Sequence, residues 1–246
     1  MTSSNTISLE TANLAAITSA LREIVGATPF MDAPVRGICA DSRAVCPGDL
    51  FLALPGEHLD GHSFVAEAFA KGAIAAVVHR TWVAGGIDER LLLRVDSPLA
   101  AYQRLARVWR DQFTLPVVGI TGSVGKTTTK EMVRAVLSTV GPVLHTPGNS
   151  NNEAGVPRAL LRLRDEHRFA VIEMGMRGPG QIRELAEIAQ PDIAVITNVG
   201  TAHMGLLGSR EAIAKAKCEL LECTSPGGVA ILHADSDLLL ETAASM

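Results

Sequence analysis

The stretch "VVGITGSVGKTTTKEM", Val117–Met132, decides how the second half of this chain is read. Val117–Thr121 is a short apolar run with β-branched residues, the composition of a buried strand. "GSVG" supplies a flexible turn, and the helical spacing of "KTTTKEMVRAVLSTV" predicts an inward face of Met132, Val133, Val136 and Leu137. A strand, a glycine turn and a helix N-terminus make an anion site, because free backbone N–H groups and the positive end of the helix dipole converge there. Gly122 and Gly125 allow the tight turn and the close backbone approach. Lys126 is then placed to reach terminal phosphates and the Thr127 hydroxyl to hold Mg²⁺. The widespread nucleotide loop G-x-x-x-x-G-K-[ST] requires glycine at position 120, where this chain has Ile120; its first loop glycine is Gly122. A chance GKT in an ordinary strand-to-helix loop is the plain alternative. The strand before and the amphipathic helix after weigh against it.

From Leu115 onward the runs "LPVVGIT", "FAVIEMG", "DIAVITNVG" and "GGVAILHAD" alternate with amphipathic helical stretches, the pattern of a parallel α/β sheet. Residues up to about 112 are different, with a loop-rich region followed by the helix–strand pair "FVAEAFAKGAIAAVVH". Two domains are therefore expected, 1–112 and 113–246, with a helix over Pro98–Asp111 joining them. The final "SDLLLETAASM" begins a helix and stops at Met246 with neither cap nor closing strand, as at a cut or a boundary before another domain. A chain of 246 residues that is 47% hydrophobic and 20% charged is globular rather than disordered. Its net charge of −4 argues against wholesale nucleic-acid binding. The N-terminus lacks a basic signal-peptide region, and no apolar run is long enough to span a bilayer. Cys39, Cys46, Cys218 and Cys223 have no metal spacing, so reduced cysteines in a cytoplasmic protein are expected.

Three residues beyond the loop fall where a phosphoryl site needs them. Glu173 ends the strand "FAVIE", at the carboxyl edge where open α/β sheets bind ligands, and a carboxylate there can hold Mg²⁺; a solvated strand-end Glu is the alternative. His203, in "TNVGTAHMG", follows the next strand, a position that alone would not make it a ligand. In "SREAIAKAKCELLE", Ser209 is the expected N-cap, and Ile213, Lys217, Leu220 and Leu221 share one face. Glu211, Lys215 and Glu219 share another, spaced for solvent salt bridges. Lys217 is thus the lysine on the apolar stripe, where burial would lower its pKa unless it snorkels to the surface.

"TGSVGKTT", Thr121–Thr128, resembles the T-G-[ST]-x-G-K-[ST]-[ST] loop of the Mur ligases and their folylpolyglutamate synthetase relatives. The resemblance implies ATP bound by Gly122, Ser123, Val124, Gly125, Lys126, Thr127 and Thr128. It also implies Mg²⁺ near Thr127, Glu173 and His203, and a CO₂-derived carbamate on Lys217 as a further metal ligand. "GNSNNEAGVPRALLRL", Gly148–Leu163, is similar to a segment of the D-alanyl-D-alanine-adding branch. Asn149, Asn151 and Asn152 would contact nucleotide or substrate there, although turn chemistry alone explains such amides as well. "DSRAVCPGDLFLALPGEHLDGHSF" resembles the UDP-binding domain of the tripeptide- and pentapeptide-forming ligases, which makes Ser42, Arg43, Asp60 and His62 substrate-binding candidates. Arg43 could equally brace the fold by an internal ion pair.

The expected architecture is α/β, a small N-terminal UDP-substrate domain followed by a P-loop domain with a mostly parallel sheet flanked by helices. The family's third, C-terminal domain has no counterpart in these residues, which leaves open whether the chain turns over alone. The implied activity is an ATP-dependent amide ligase of peptidoglycan synthesis, a monomer acting on UDP-MurNAc-tripeptide and D-Ala-D-Ala. The alternatives are a nucleotide-binding or regulatory module without turnover, and the related diaminopimelate- or lysine-adding ligase, which the Asn-Asn-x-x-Gly-Val-Pro segment disfavours.

Overall fold

The computed structural model describes residues 7–8, 14–25, 35–56, 59–200 and 204–246. The chain divides into two compact units, Met1–Gln112 and Phe113–Met246.

The first unit holds a five-stranded sheet in sequence order: β1 (Ile7–Ser8), β2 (Gly37–Cys39), β3 (Asp49–Leu52), β4 (Ala75–His79) and β5 (Leu92–Val95). β1 pairs antiparallel with β2, and the remaining neighbours are parallel. Helices α1 (Leu14–Val25) and α2 (Val65–Ala70) lie among these strands in sequence. α3 (Pro98–Arg110) starts where Ser97 Oγ accepts the Ala100 N–H with Pro98 in the first turn, a preorganised helix start. Its residues Ala101, Tyr102, Leu105, Ala106 and Trp109 recur at helical spacing, and all are buried. This stripe packs on α1 and β4, so the helix expected to join the two parts belongs to the first.

The second unit is a parallel sheet built from β6 (Val117–Thr121), β7 (Val143–His145), β8 (Phe169–Glu173), β9 (Ile193–Ile196) and β10 (Val229–Leu232). Its spatial order is β10-β9-β6-β8-β7. α4 (Lys126–Leu137), α5 (Gly155–Leu160), α6 (Gln181–Ala189), α7 (Met204–Leu207), α8 (Arg210–Glu222) and α9 (Asp237–Ala244) complete it. β6 is central, with β7 and β8 on one side and β9 and β10 on the other. The chain therefore changes winding direction beside β6, and at such a switch point a crevice opens over the carboxyl ends of the strands.

The inward face of α4 differs from the expected one. Val133 and Leu137 pack on Val118, Ile120, Val171 and Val195, whereas Met132 and Val136 are 65% and 67% exposed. The fully buried residue of this helix is Lys130. Lys126, Lys130, Val133 and Leu137 lie at i, i+4, i+7 and i+11, so two lysines complete the stripe. Counting apolar residues alone rotates the face away from them.

Candidate functional site

The loop after β6 is shaped by its glycines. Gly122 has φ +152°, and a Cβ there would lie 1.9 Å from Thr197 Oγ1, so no other residue fits. Gly125, at φ +82°, forms the left-handed entry to α4 and leaves the helix N-terminus facing the crevice. The loop is tied to the segment after β9. Ser123 N–H donates to the Asn198 carbonyl at 3.1 Å, and Val124 N–H to Asn198 Oδ1 at 3.1 Å. Thr197 Oγ1 donates to the Val124 carbonyl at 2.7 Å. Lys126 Nζ donates to the Gly122 carbonyl at 2.9 Å, folded over the same turn.

Glu173 is 1% exposed at the end of β8, next to β6. Its N–H donates to Thr146 Oγ1 at 3.0 Å, which fixes the residue to the end of β7. Its Oε1 accepts from Thr127 Oγ1 at 3.2 Å and from Asn151 Nδ2 at 2.7 Å. Its Oε2 is buried without a hydrogen bond among the described residues, although Lys130 Nζ stands 3.4 Å away at ion-pair distance. Thr121 Oγ1, at the end of β6, is likewise buried without a partner. A buried carboxylate whose Oε1 meets the Thr127 hydroxyl at the start of α4, beside the glycine loop, suits a hard cation that prefers oxygen ligands. Among the described residues no cluster of three or more His, Cys, Asp or Glu side chains forms. Thr127 and Glu173 fit Mg²⁺.

Lys217 is 1% exposed, with Ile213 and Leu220 buried on the same face of α8 and Leu221 partly so. Burial, and then the nearby Lys126 charge, push its pKa down to about 8. Lys217 lines a cavity of about 650 Å³ together with Lys126, Asn149, Asn151, Arg158 and Arg177. Four cationic side chains and one acidic one, Glu153, border that space, a charge balance suited to a polyanion. Lys215 is exposed. Glu219 departs from the expected solvent face: it is buried, and its carboxylate accepts from Gly180 N–H at 2.7 Å and Arg183 N–H at 3.1 Å, capping α6.

The three asparagines separate by environment. Asn149 is exposed on the cavity wall, Asn151 holds Glu173, and Asn152 Oδ1 accepts the Gly155 N–H at 2.9 Å at the start of α5. Thr128 is exposed on the first turn of α4. His203 lies outside the described residues. Lys130, Thr146 and Thr197 are not sequence candidates, and Asn198 enters the sequence reading only as the residue that opens the N-x-x-x-x-H segment ending at His203. Asn198 is the polar residue that follows a buried strand and precedes the loop glycine Gly200, and that position was the available signal.

In the first unit, Ser42 is buried and its Oγ donates to Glu67 Oε2 at 3.0 Å. Arg43 is 83% exposed and pairs bidentately with Asp41, the bracing alternative, though with a near sequence neighbour. Asp60 Oδ1 accepts from the His62 N–H at 3.0 Å and meets His62 Nδ1 at 2.6 Å, and these contacts, the backbone one first, hold its carboxyl below the usual carboxylate range. His62 Nε2 accepts the His79 N–H at 2.8 Å, so the ring proton sits on Nδ1 and is given to Asp60. Both nitrogens of this buried ring, a substrate-binding candidate, are thus used inside the fold.

A glycine loop between the central strand of a parallel sheet and a helix N-terminus, with a strand-end carboxylate beside it, defines the class: a P-loop nucleotide-binding α/β protein. Residues 120–245 match the family profile described as Mur ligase middle domain, and residues 34–109 the one described as Mur ligase family, catalytic domain. The chain belongs to the Mur ligase family. It is 55% identical over 213 residues to the UDP-N-acetylmuramoyl-tripeptide--D-alanyl-D-alanine ligase of Synechocystis sp., covering 86% of this chain and 46% of that one. A crystal structure of MurF from Acinetobacter baumannii superposes with TM-score 0.84 at 39% identity, covering 92% of this chain and 51% of that chain. MurF from Thermotoga maritima in complex with ADP gives TM-score 0.78 at 36% identity, over 88% and 50%. The chain spans about half the length of the curated relatives it matches.

Proposed function

We propose that this chain carries the nucleotide and peptide-precursor sites of an ATP-dependent amide ligase that joins D-Ala-D-Ala to UDP-MurNAc-tripeptide. The observation that carries the reading is the meeting of Lys126, Lys217 and the Glu173-bound Asn151 on one cationic cavity at the mouth of the glycine loop. The names of the Synechocystis and Acinetobacter relatives support the substrate pair.

In this reading the backbone N–H groups of Gly122–Thr128 and the Lys126 ammonium bind the ATP phosphates and neutralise charge as the γ-phosphoryl group leaves ADP. Mg²⁺, when bound, supplies further neutralisation of phosphate oxygens; Thr127 and Glu173 would hold it, with His203 and a carbamate on Lys217 completing the set. CO₂ reacts with the unprotonated amine only, and the lowering of the Lys217 pKa to about 8 raises the fraction of free amine available to it. The peptide's terminal carboxylate attacks the γ-phosphorus to give an acyl phosphate. The D-Ala-D-Ala amine then attacks the acyl carbon, loses a proton, and expels phosphate. Residues 1–112 bind the UDP end, with Ser42, Arg43 and Asp60 as contacts, and residues 113–246 bind ATP. The protein works as a cytoplasmic monomer. No helix among the described residues is long and apolar enough to cross a membrane.

The test is to supply the chain with ATP, Mg²⁺, UDP-MurNAc-tripeptide and D-Ala-D-Ala and to read UDP-MurNAc-pentapeptide by mass spectrometry. Nucleotide binding without product favours a binding module lacking turnover. Calorimetry with ADP gives the second arm: Lys126→Ala should weaken binding at least about 100-fold with the fold intact, from the loss of a charge-assisted contact. Undiminished binding in that variant rejects the phosphate assignment.

A further inference from the structure

Lys130 is a lysine with no exposed surface, on a helix face where Val133 and Leu137 make apolar contacts. A methionine would fill the same stripe without the cost of desolvating an ammonium, so the charge needs an explanation of its own. Its Nζ donates to the carbonyl of Gly148, the residue that opens the Asn149–Asn152 loop on the cavity wall. The same atom lies 3.4 Å from Glu173 Oε2 and 3.4 Å from Glu131 Oε1. Glu131 has its own partner, Arg134, at 2.7 Å. Glu173 is 1% exposed, and among the described residues Lys130 is the cation at ion-pair distance from it.

One buried ammonium therefore touches three parts of the site: the helix that begins at Lys126, the asparagine loop and the strand-end carboxylate. With Lys130 at Oε2, the other oxygen is turned to Thr127 and Asn151, the side facing the glycine loop. We propose that Lys130 is a positioning residue for the cation-binding end of the nucleotide site, holding the Glu173 carboxylate in register with the phosphate loop. This rests on reading the cavity as the ATP site. Lys130 touches no substrate in this arrangement and acts through Glu173.

The experiment is calorimetric titration of the chain with AMP-PNP, once in EDTA and once in excess Mg²⁺, for wild type, Lys130→Met, Glu173→Gln and the double variant. In EDTA, Lys130→Met should bind within about 3-fold of wild type, because the loop and Lys126 remain. The affinity gained on adding Mg²⁺ should shrink about 10-fold or more, the usual scale when a residue supporting a metal ligand is lost. In the Glu173→Gln background the same change should add less than about 2-fold, since its effect passes through that carboxylate. A Lys130→Met variant with the full wild-type Mg²⁺ gain overturns the inference, as does a double variant whose two losses simply add. If Lys130→Met alone does not fold, the double variant, in which both buried charges are removed together, is compared with Glu173→Gln: equal Mg²⁺ gains support the inference and unequal gains overturn it. Wild type that binds no AMP-PNP overturns the nucleotide-site reading and this inference together, whereas wild-type binding with an unaffected Lys130→Met overturns this inference alone.

Discussion

Lys217 shows how a single residue's environment sets its chemistry. Its position on the apolar stripe was legible in the sequence, because Ile213 and Leu220 bracket it at helical spacing while Lys215 falls on the other side. The depressed pKa of about 8 follows from that burial, with Lys126 adding repulsion. The unfolded chain, with a lysine near 10.5, binds more protons than the folded one, so stability rises with pH between about 8 and 10.5. Below that window the buried ammonium costs the fold on the order of 3 kcal/mol. In bicarbonate-free buffer, Lys217→Met should raise the urea-unfolding free energy by about 1–3 kcal/mol at pH 7, and the advantage should fade by pH 10.5. An equal effect at both pH values would contradict the buried-amine assignment. Lys130 was not legible in the same way. Its stripe contains Lys126 as well, and two lysines on an inward face are invisible to a count of apolar positions.

At the scale of elements, the strands, the glycine loop and the helix that follows could be read directly, because β-branched runs and glycine punctuation are local signals. Contacts between helices could not. Glu219 and Lys215 stand four apart on α8, a spacing that suggests a solvent ion pair. Yet α6 packs against α8 and brings its N-terminus onto Glu219, whose two oxygens take the Gly180 and Arg183 N–H groups. Gly180 has no side chain with which to cap its own helix, so the cap comes from a residue distant in sequence. Glu219→Gln should destabilise the second unit by about 1–2 kcal/mol, from loss of charge at the helix N-terminus and of one acceptor. Lys215→Ala should change stability by less than about 0.5 kcal/mol. Thermal unfolding of both variants checks the pair, and a silent Glu219→Gln would refute the cap.

For the whole molecule, the alternation of buried strands and helices made a parallel sheet legible, but not the order β10-β9-β6-β8-β7 that places Glu173 and Asn198 on either side of the glycine loop. That order depends on which strand each helix returns to, and no local sequence signal encodes it. In the first unit, likewise, the turn residues Asp60-Gly61-His62 were recognisable, but not that His62 reaches across to accept the His79 N–H from β4. His62→Ala leaves that N–H and the Asp60 carboxylate without the ring and removes its packing on Trp82, whose centroid lies 5.6 Å away. The expected cost is about 1–3 kcal/mol, borne by the first unit. The chain's two tryptophans, Trp82 and Trp109, both lie in that unit, so fluorescence-detected urea unfolding follows it selectively. The midpoint should fall in His62→Ala, while AMP-PNP affinity, a property of residues 113–246 in the proposed function, should stay within about 2-fold of wild type. A parallel loss of nucleotide binding would mean that the units do not hold their structures independently, and a fluorescence midpoint that does not move would mean that His62 is free to serve a ligand after all.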